Sequence, residues 1–195
     1  MNNNSVSIDG VIQSNYTPSG TIYPQKVSIG TEQQFSITKY KGNKTPTATI
    51  GHGLNGIPDL TIIKALSQSG TWVTFNPAFG AGRILGLNNS SPRTAANSAY
   101  FNQTLPNATV VTLGWDGAGH ELNDENDLYI MYCWRSVDGF SKIGTYIGNL
   151  SADGPFVYTG FRPAFVLLKH WTGANQHWWI YDNTRDPINY VGRGL

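Results

Sequence analysis

Four large aromatic side chains, Trp171, Trp178, Trp179 and Tyr181, crowd one short stretch together with His170 and His177. Three kinds of chemistry fit such a set. In an extended strand Trp178 and Ile180 face one side, and Trp179 and Tyr181 the other. One side must be core. The other is free to stack on a sugar ring or to pack against a neighbouring subunit, where Tyr and Trp are the usual anchors. His170 and His177 bracket the turn 171–176 and could approach across a hairpin as two metal ligands do, but no third ligand is evident. Asp153 and Asp182 would be the carboxylates of a glycosidase pair. Asp153-Gly154 reads more simply as a turn, and Asp182-Asn183 as a strand end.

Elsewhere the residues offer less. Asp116, Glu121, Asp124, Glu125 and Asp127 lie in a Gly/Asn-rich loop whose oxygens suit a hard cation, but the spacing fits no EF-hand, and a solvated turn is the plainer reading. Cys133 is the single cysteine; it sits in the run Leu128–Trp134 and reads as a buried core thiol rather than a nucleophile. His-x-Glu-x-x-His, Cys-x-x-Cys, Gly-x-Ser-x-Gly and a phosphate-binding loop are all absent. The expectation is a chain with no catalytic residue, no metal and no cofactor. Net charge is +1 and only 13% of residues are charged, with no basic cluster, which argues against nucleic acid as a partner. No apolar run approaches the roughly 18 residues of a membrane helix, and Met1-Asn-Asn-Asn-Ser5 has neither part of a signal peptide. The lone thiol agrees with assembly inside a reducing cell.

The elements that must position these residues are strands. Glycine numbers 22, and Trp plus Tyr number 16, in a chain of 195 residues, which suits a β protein with many turns. Residues 1–34 read as a polar extended arm that packs on its own domain or reaches a neighbour. Phe35–Tyr40 alternates as a half-buried strand does. Pro58 opens a strand ending at Lys64, Ser67–Gly70 turns, and Thr71–Phe75 returns. Ala108–Leu113 and Leu128–Trp134 follow; the second has no polar break and belongs in the middle of a sheet. Ser91–Asn102 is the best helix candidate, and a weak one.

A second signal is self-similarity. Tyr40-Lys-Gly42-Asn43 matches Tyr146-Ile-Gly148-Asn149 (146 − 40 = 106), and Pro58 with Lys64 matches Pro163 with Lys169 (163 − 58 = 105). Trp72–Asn76 resembles Trp178–Asp182 (178 − 72 = 106), Phe35-Ser36 matches Phe140-Ser141, and Gly82–Leu85 has a partner in Gly192–Leu195. The first unit reads as complete, with Leu128–Trp134 as its closing strand. The second has no counterpart of that strand before Leu195, so an exposed edge is expected, to be paired by another chain or by the arm.

The segments Tyr129-Ile-Met-Tyr132, Gly139-Phe-Ser-Lys142, Gly144–Asn149, Asp153–Val157, Gly160–Val166, Trp178–Asp182 and Arg185-Asp-Pro187 carry a resemblance. Together they resemble a domain of unknown function that recurs in structural proteins of marine bacteriophages, cyanophages and pelagiphages among them. The likeness is close over Leu128 to Asn189 and looser over Phe35 to Trp134. It implies a virion part of the tail or fibre kind, sometimes beside lectin-like sandwich domains, and carries no catalytic residue over. The family pattern continues past Arg-Asp-Pro to a final strand pair.

The reading that follows is an all-β chain of β-sandwich or jelly-roll-like units in internal repeat, the second truncated, with little helix. Its parts are an arm at 1–34, a first unit at 35–135 and a partial second unit at 136–195. Trp171, Trp178, Trp179 and Tyr181 are the glycan or subunit contacts, and Tyr190, Val191 and Leu195 the assembly edge. The expected role is a non-enzymatic virion component, assembled in the host cytoplasm, whose partners are copies of itself and other virion proteins. Recognition of a host-surface glycan is the alternative.

Overall fold

The computed structural model describes residues 5–13, 17–115, 122–173 and 176–185. Their strands are β1 (Ser5–Ile8), β2 (Val11–Ile12), β3 (Lys26–Ile29), β4 (Phe35–Lys41), β5 (Thr49–Gly51) and β6 (Leu60–Ala65). There follow β7 (Val73–Phe75), β8 (Leu85–Gly86), β9 (Val110–Thr112), β10 (Leu128–Trp134), β11 (Phe165–Lys169) and β12 (Trp178–Asp182). The fold is all-β: among the described residues helix is limited to 3₁₀ turns at Thr31–Gln33, Pro77–Phe79 and Phe101–Gln103. No helix among them is long and apolar enough to cross a membrane. The helix considered at Ser91–Asn102 does not form. Asn side chains take the amides a helix would need: Asn89 accepts from Ser91 N–H, and Asn97 from Ala99 N–H.

One eight-stranded sheet, in the order β2-β1-β3-β4-β10-β6-β7-β8, carries the structure. β10 lies between β4 and β6, antiparallel to both, as its unbroken apolar run leads one to expect. Tyr129, Met131 and Cys133 turn to one face and are fully buried. There they meet Tyr40, Ile63, Val73 and Phe75 from the sheet, with Ile50 and Val111 from the two-stranded β5–β9 pair packed across it. The second layer is therefore a short pair of strands far apart in the chain, with loops, not a sheet of equal width. The arm joins its own chain: β3 adds antiparallel to β4, and β1 runs parallel to β3. Val6, Val27 and Ile29 form a small cluster of their own beneath it.

The Tyr40-Lys-Gly42-Asn43 turn shows what its residue types are for. Tyr40 stacks on Tyr129 at 5.1 Å and donates its hydroxyl to Leu122 O at 2.7 Å. Asn123, fully buried, accepts from Asn43 N–H through its own Oδ1 and donates its amide to Asn43 Oδ1 and Thr45 O. Gly42 lies against the Asn123–Asp124 backbone so closely that a Cβ there would strike the Asp124 carbonyl oxygen. The turn is thus clamped by the segment that leads into β10.

His52 is another buried polar group with every ring nitrogen used. Nδ1 accepts from Leu54 N–H at 3.1 Å, which leaves Nε2 to donate to Asn107 O at 3.1 Å. Burial lowers its pKa from the ordinary histidine value, against the smaller opposing effect of the Asn107 carbonyl. The unfolded chain therefore binds the proton more readily, and stability falls as pH drops below about 6.5, the unfolded value. Thermal melts from pH 7.5 to 5 should show a falling Tm, and His52→Gln, which keeps a donor and an acceptor but does not titrate, should flatten the part of that slope below pH 6.5.

Cys133 is the buried core thiol its neighbours suggested. Burial pushes it up to about 12, in spite of the Thr61 hydroxyl at 3.7 Å. Reaction with a thiol-specific disulfide reagent at pH 8 should be negligible in the native protein and complete within minutes in denaturant.

Candidate functional site

β11 and β12 form a hairpin in the register Phe165↔Asp182 to Lys169↔Trp178. Residues opposite one another share a face, so Val166 and Leu168 lie with Tyr181 and Trp179, and Leu167 and Lys169 with Ile180 and Trp178. Lys169 donates to Gln176 O in its own turn, which pulls the ammonium across the Trp178 ring at 6.0 Å. The hairpin docks on the first unit by its turn. Trp171 packs on Phe79 at 4.9 Å under the Arg93 guanidinium at 4.8 Å, and its carbonyl accepts from Arg93 N–H. Gln176 N–H donates to Ser90 O, and the Trp178 indole donates to Gly86 O at 2.9 Å, at the β8 end of the large sheet.

The four aromatics named from sequence therefore divide. Trp171 and Trp178 attach the hairpin to its own chain. Trp179 and Tyr181 stay together on the other side, their rings 6.3 Å apart and 7° from parallel, with Trp179 45% exposed. Alternation alone gave this division of faces; what holds Trp171 and Trp178 comes from residues far away in the chain and left no local trace. The proposed edge residues Tyr190, Val191 and Leu195 lie outside the described residues, as do Asp116 and Glu121.

Most of the other candidate groups have local partners. The Asp182 carboxylate accepts from the Thr184 and Arg185 amides and pairs with the Arg185 guanidinium. The Arg185 amide first, and then its guanidinium, lower the Asp182 pKa, the reverse of what a general acid needs. Asp153 sits in the Ser151 turn. His170 contacts the Thr172 hydroxyl. Asp124 and Asp127 accept from the Gln68 amide, and Asp127 from the Ser67 hydroxyl. Among the described residues no group of three or more His, Cys, Asp or Glu side chains is placed to hold a metal.

The β6–β7 and β11–β12 hairpins pair in registers that lie 166 − 61 = 105 and 181 − 75 = 106 residues apart. In the first, Thr61↔Phe75, Ile62↔Thr74 and Ile63↔Val73 are opposite; in the second, Val166↔Tyr181, Leu167↔Ile180 and Leu168↔Trp179. The lysine at or next to the end of each leading strand, Lys64 or Lys169, bonds a carbonyl of its own turn. Asn43 and Asn149 each cap the amide two residues on, of Thr45 and Ser151. The likeness stops there. Where Phe35–Lys41 is a strand, 140–146 forms none. β6 is paired on both sides, β11 only by β12 among the described residues. Phe140, Ile147, Leu150, Phe156, Tyr158 and Phe165 are all well exposed, Ile147 at 90% and Phe156 at 91%. Large apolar side chains exposed in such number suit an interaction surface.

A second aromatic surface was not singled out from the sequence. Phe35, Trp134, Tyr132 and Trp72 follow one another across the back of the large sheet, at 5.0, 5.9 and 6.5 Å between successive rings. Lys26, Lys39 and Lys64 share the row that includes Ile130 beside them. The alternation of β4 and β10 carried this signal, but only their pairing puts Phe35 opposite Trp134. All four rings are half-buried.

A family model described as a domain of unknown function, DUF7483, matches residues 10–195. No curated protein and no solved structure matches the chain.

Proposed function

We propose that this chain, which belongs to the family of the domain of unknown function DUF7483, is a bacteriophage virion component that acts by assembly, as part of a tail fibre, an appendage or the capsid surface. One observation carries the assembly part: among the described residues β11 keeps an unpaired edge, and the large apolar side chains of 140–165 face water. Fully burying one such side chain contributes about 1.5–3 kcal/mol, so a few of them covered by a neighbour outweigh the cost of association. A net charge of +1 sets no long-range repulsion between copies. The virion setting rests on the resemblance of Gly139–Asn149, Gly160–Val166 and Trp178–Asp182 to domains of phage structural proteins.

Native mass spectrometry and light scattering over a concentration series test the assembly part. Oligomers of fixed stoichiometry, lost in Phe156→Ser and Phe165→Ser variants that keep the β-sheet spectrum, are the expected result. A monomer at every concentration would count against self-assembly. Antibody labelling of intact particles tests the virion part.

Glycan recognition is the second reading, and the Trp179–Tyr181 pair favours it. The two rings are parallel, and the exposed Trp179 offers an aromatic face on which a sugar can stack. A glycan array read with Trp179→Ala as control tests it; Trp171, held against Phe79 and Arg93, is the less available ring.

A further inference from the structure

We infer that the open face of the large sheet binds an extended anionic glycan, with its acidic groups on Lys26, Lys39 and Lys64 and its sugar rings along Phe35, Trp134 and Tyr132. The face belongs to the first unit, and the inference rests neither on the assembly reading nor on the Trp179–Tyr181 pair. Alternation defines the face. On β4, Ser36, Thr38 and Tyr40 are fully buried, as are Tyr129, Met131 and Cys133 on β10. The β5–β9 pair packs across that side. Every residue between them, on both strands, is at least partly exposed, so no second layer covers the side they form. It closes only toward β7, where Ile62 and Thr74 are buried. The solvated face of an antiparallel sheet is ordinarily polar. This one instead carries a run of aromatic rings at its centre.

Register gathers on it three cations that are far apart in the chain. Lys26 lies directly opposite Lys39, Lys39 opposite Ile130, and Ile130 opposite Lys64. With strands about 4.8 Å apart, Lys26 and Lys39 are rooted one strand spacing apart, and Lys64 about 10 Å beyond Lys39. Like charges directly opposite one another destabilise a sheet. Nothing on the face offsets them. No Asp or Glu occupies a strand position there, and among the described residues no carboxylate pairs with any of the three. The acids at the strand ends are engaged elsewhere: Asp59 accepts from Ser136 N–H, and Asp124 and Asp127 from the Gln68 amide. Lys64 gives one hydrogen to Gln68 O and keeps two. An anion set between Lys26 and Lys39 would turn their repulsion into attraction.

The rings lie next to this row. Tyr132 and Trp134 are two and four residues from Ile130 along β10, about 7 and 13 Å at the rise of a strand. Charges and rings therefore make one field, which a chain-like ligand can span. An acidic glycan fits both parts: its C–H faces pack on aromatic rings, and its charges recur at intervals comparable to the strand spacing. A nucleic acid fits less well. It is commonly held through about 6–10 phosphates, and by arginine, whose planar group also stacks on bases. Here three lysines and no arginine share the face. A net charge of +1 draws no polyanion to the molecule as a whole, so binding must come from this local field.

The test titrates the 195-residue protein at low salt with oligogalacturonate, dextran sulfate, neutral dextran and single-stranded oligothymidylate. Saturable binding of at least one of the two anionic glycans is expected, weakening as salt is raised, with none to neutral dextran. The tighter of the two names the anion as carboxylate or sulfate. Lys39→Gln should weaken binding about fivefold, the scale of one exposed charge contact, while the free variant melts no lower than the parent because a like-charge pair is gone. Lys26→Gln added to it should bring the loss to about tenfold or more. Trp134→Leu, which keeps apolar bulk beside Phe35, should weaken binding while the β-sheet spectrum is retained. Trp179→Ala should leave affinity unchanged. No binding of either anionic glycan, equal affinity in the lysine variants or in Trp134→Leu, or tighter binding of oligothymidylate would overturn the inference. Glycan binding lost in Trp179→Ala and kept in Lys39→Gln would also overturn it, and would leave glycan recognition at the second hairpin standing.

Discussion

Phe75→Ala should destabilise the protein by about 3–5 kcal/mol, while Tyr181→Ala, its counterpart in the second hairpin, should cost about 1 kcal/mol or less in the lone chain. The two positions occupy the same place in their hairpins, opposite Thr61 and Val166. Phe75 is fully buried and touches Phe79 and Phe101 at 6.5 and 4.7 Å between ring centres. Its removal leaves a cavity that the surrounding β-sheet cannot close. Tyr181 stacks on Trp179 and is only partly buried. Urea titrations followed by circular dichroism should separate the two variants clearly. Comparable losses would mean that the second face is already packed in the monomer.

A second contrast needs only one methyl group. Gly42→Ala puts a Cβ into the Asn123–Asp124 main chain, which cannot swing aside as the end of a side chain can. The clamp between Asn43 and Asn123 would have to open, and a loss of about 1–3 kcal/mol or more is expected, as for overpacking in a core. Gly148→Ala meets open space and should stay within about 0.5 kcal/mol of the parent, in the range of ordinary surface changes. Chemical denaturation of both variants measures the difference. Equal effects would mean that some part of the chain already lies against Gly148.

The strands were legible where local pattern and burial coincide. Alternation in Phe35–Lys41, a proline ahead of Leu60–Ala65 and the unbroken run Leu128–Trp134 each gave the right element, the last with its central place. The arm was less so, because β3 becomes a strand only by lying on β4, and the parallel β1–β3 pair depends on a crossover that no local pattern encodes. Asn89 and Asn97 defeated the helix considered at 91–102 through short-range bonds that compete with a helical ladder. For the candidate site, period-two spacing was enough to pair Trp179 with Tyr181. It could not foresee that Phe79, Arg93 and Gly86 hold Trp171 and Trp178, since those contacts join segments roughly ninety residues apart. Nor could residue types alone tell Gly42 from Gly148, which share one motif and differ only in what lies beside them.

Amide hydrogen exchange on the dilute monomeric chain reaches the central claim most directly, because protection reads whether a strand is paired on one side or two. The account predicts that β6 and β10 exchange slowly throughout, near the limit set by global unfolding, while alternate amides of Phe165–Lys169, on the edge away from β12, exchange orders of magnitude faster. Uniformly slow exchange across 165–169 in the monomer would contradict it, since both edges of β11 would then be paired within the lone chain.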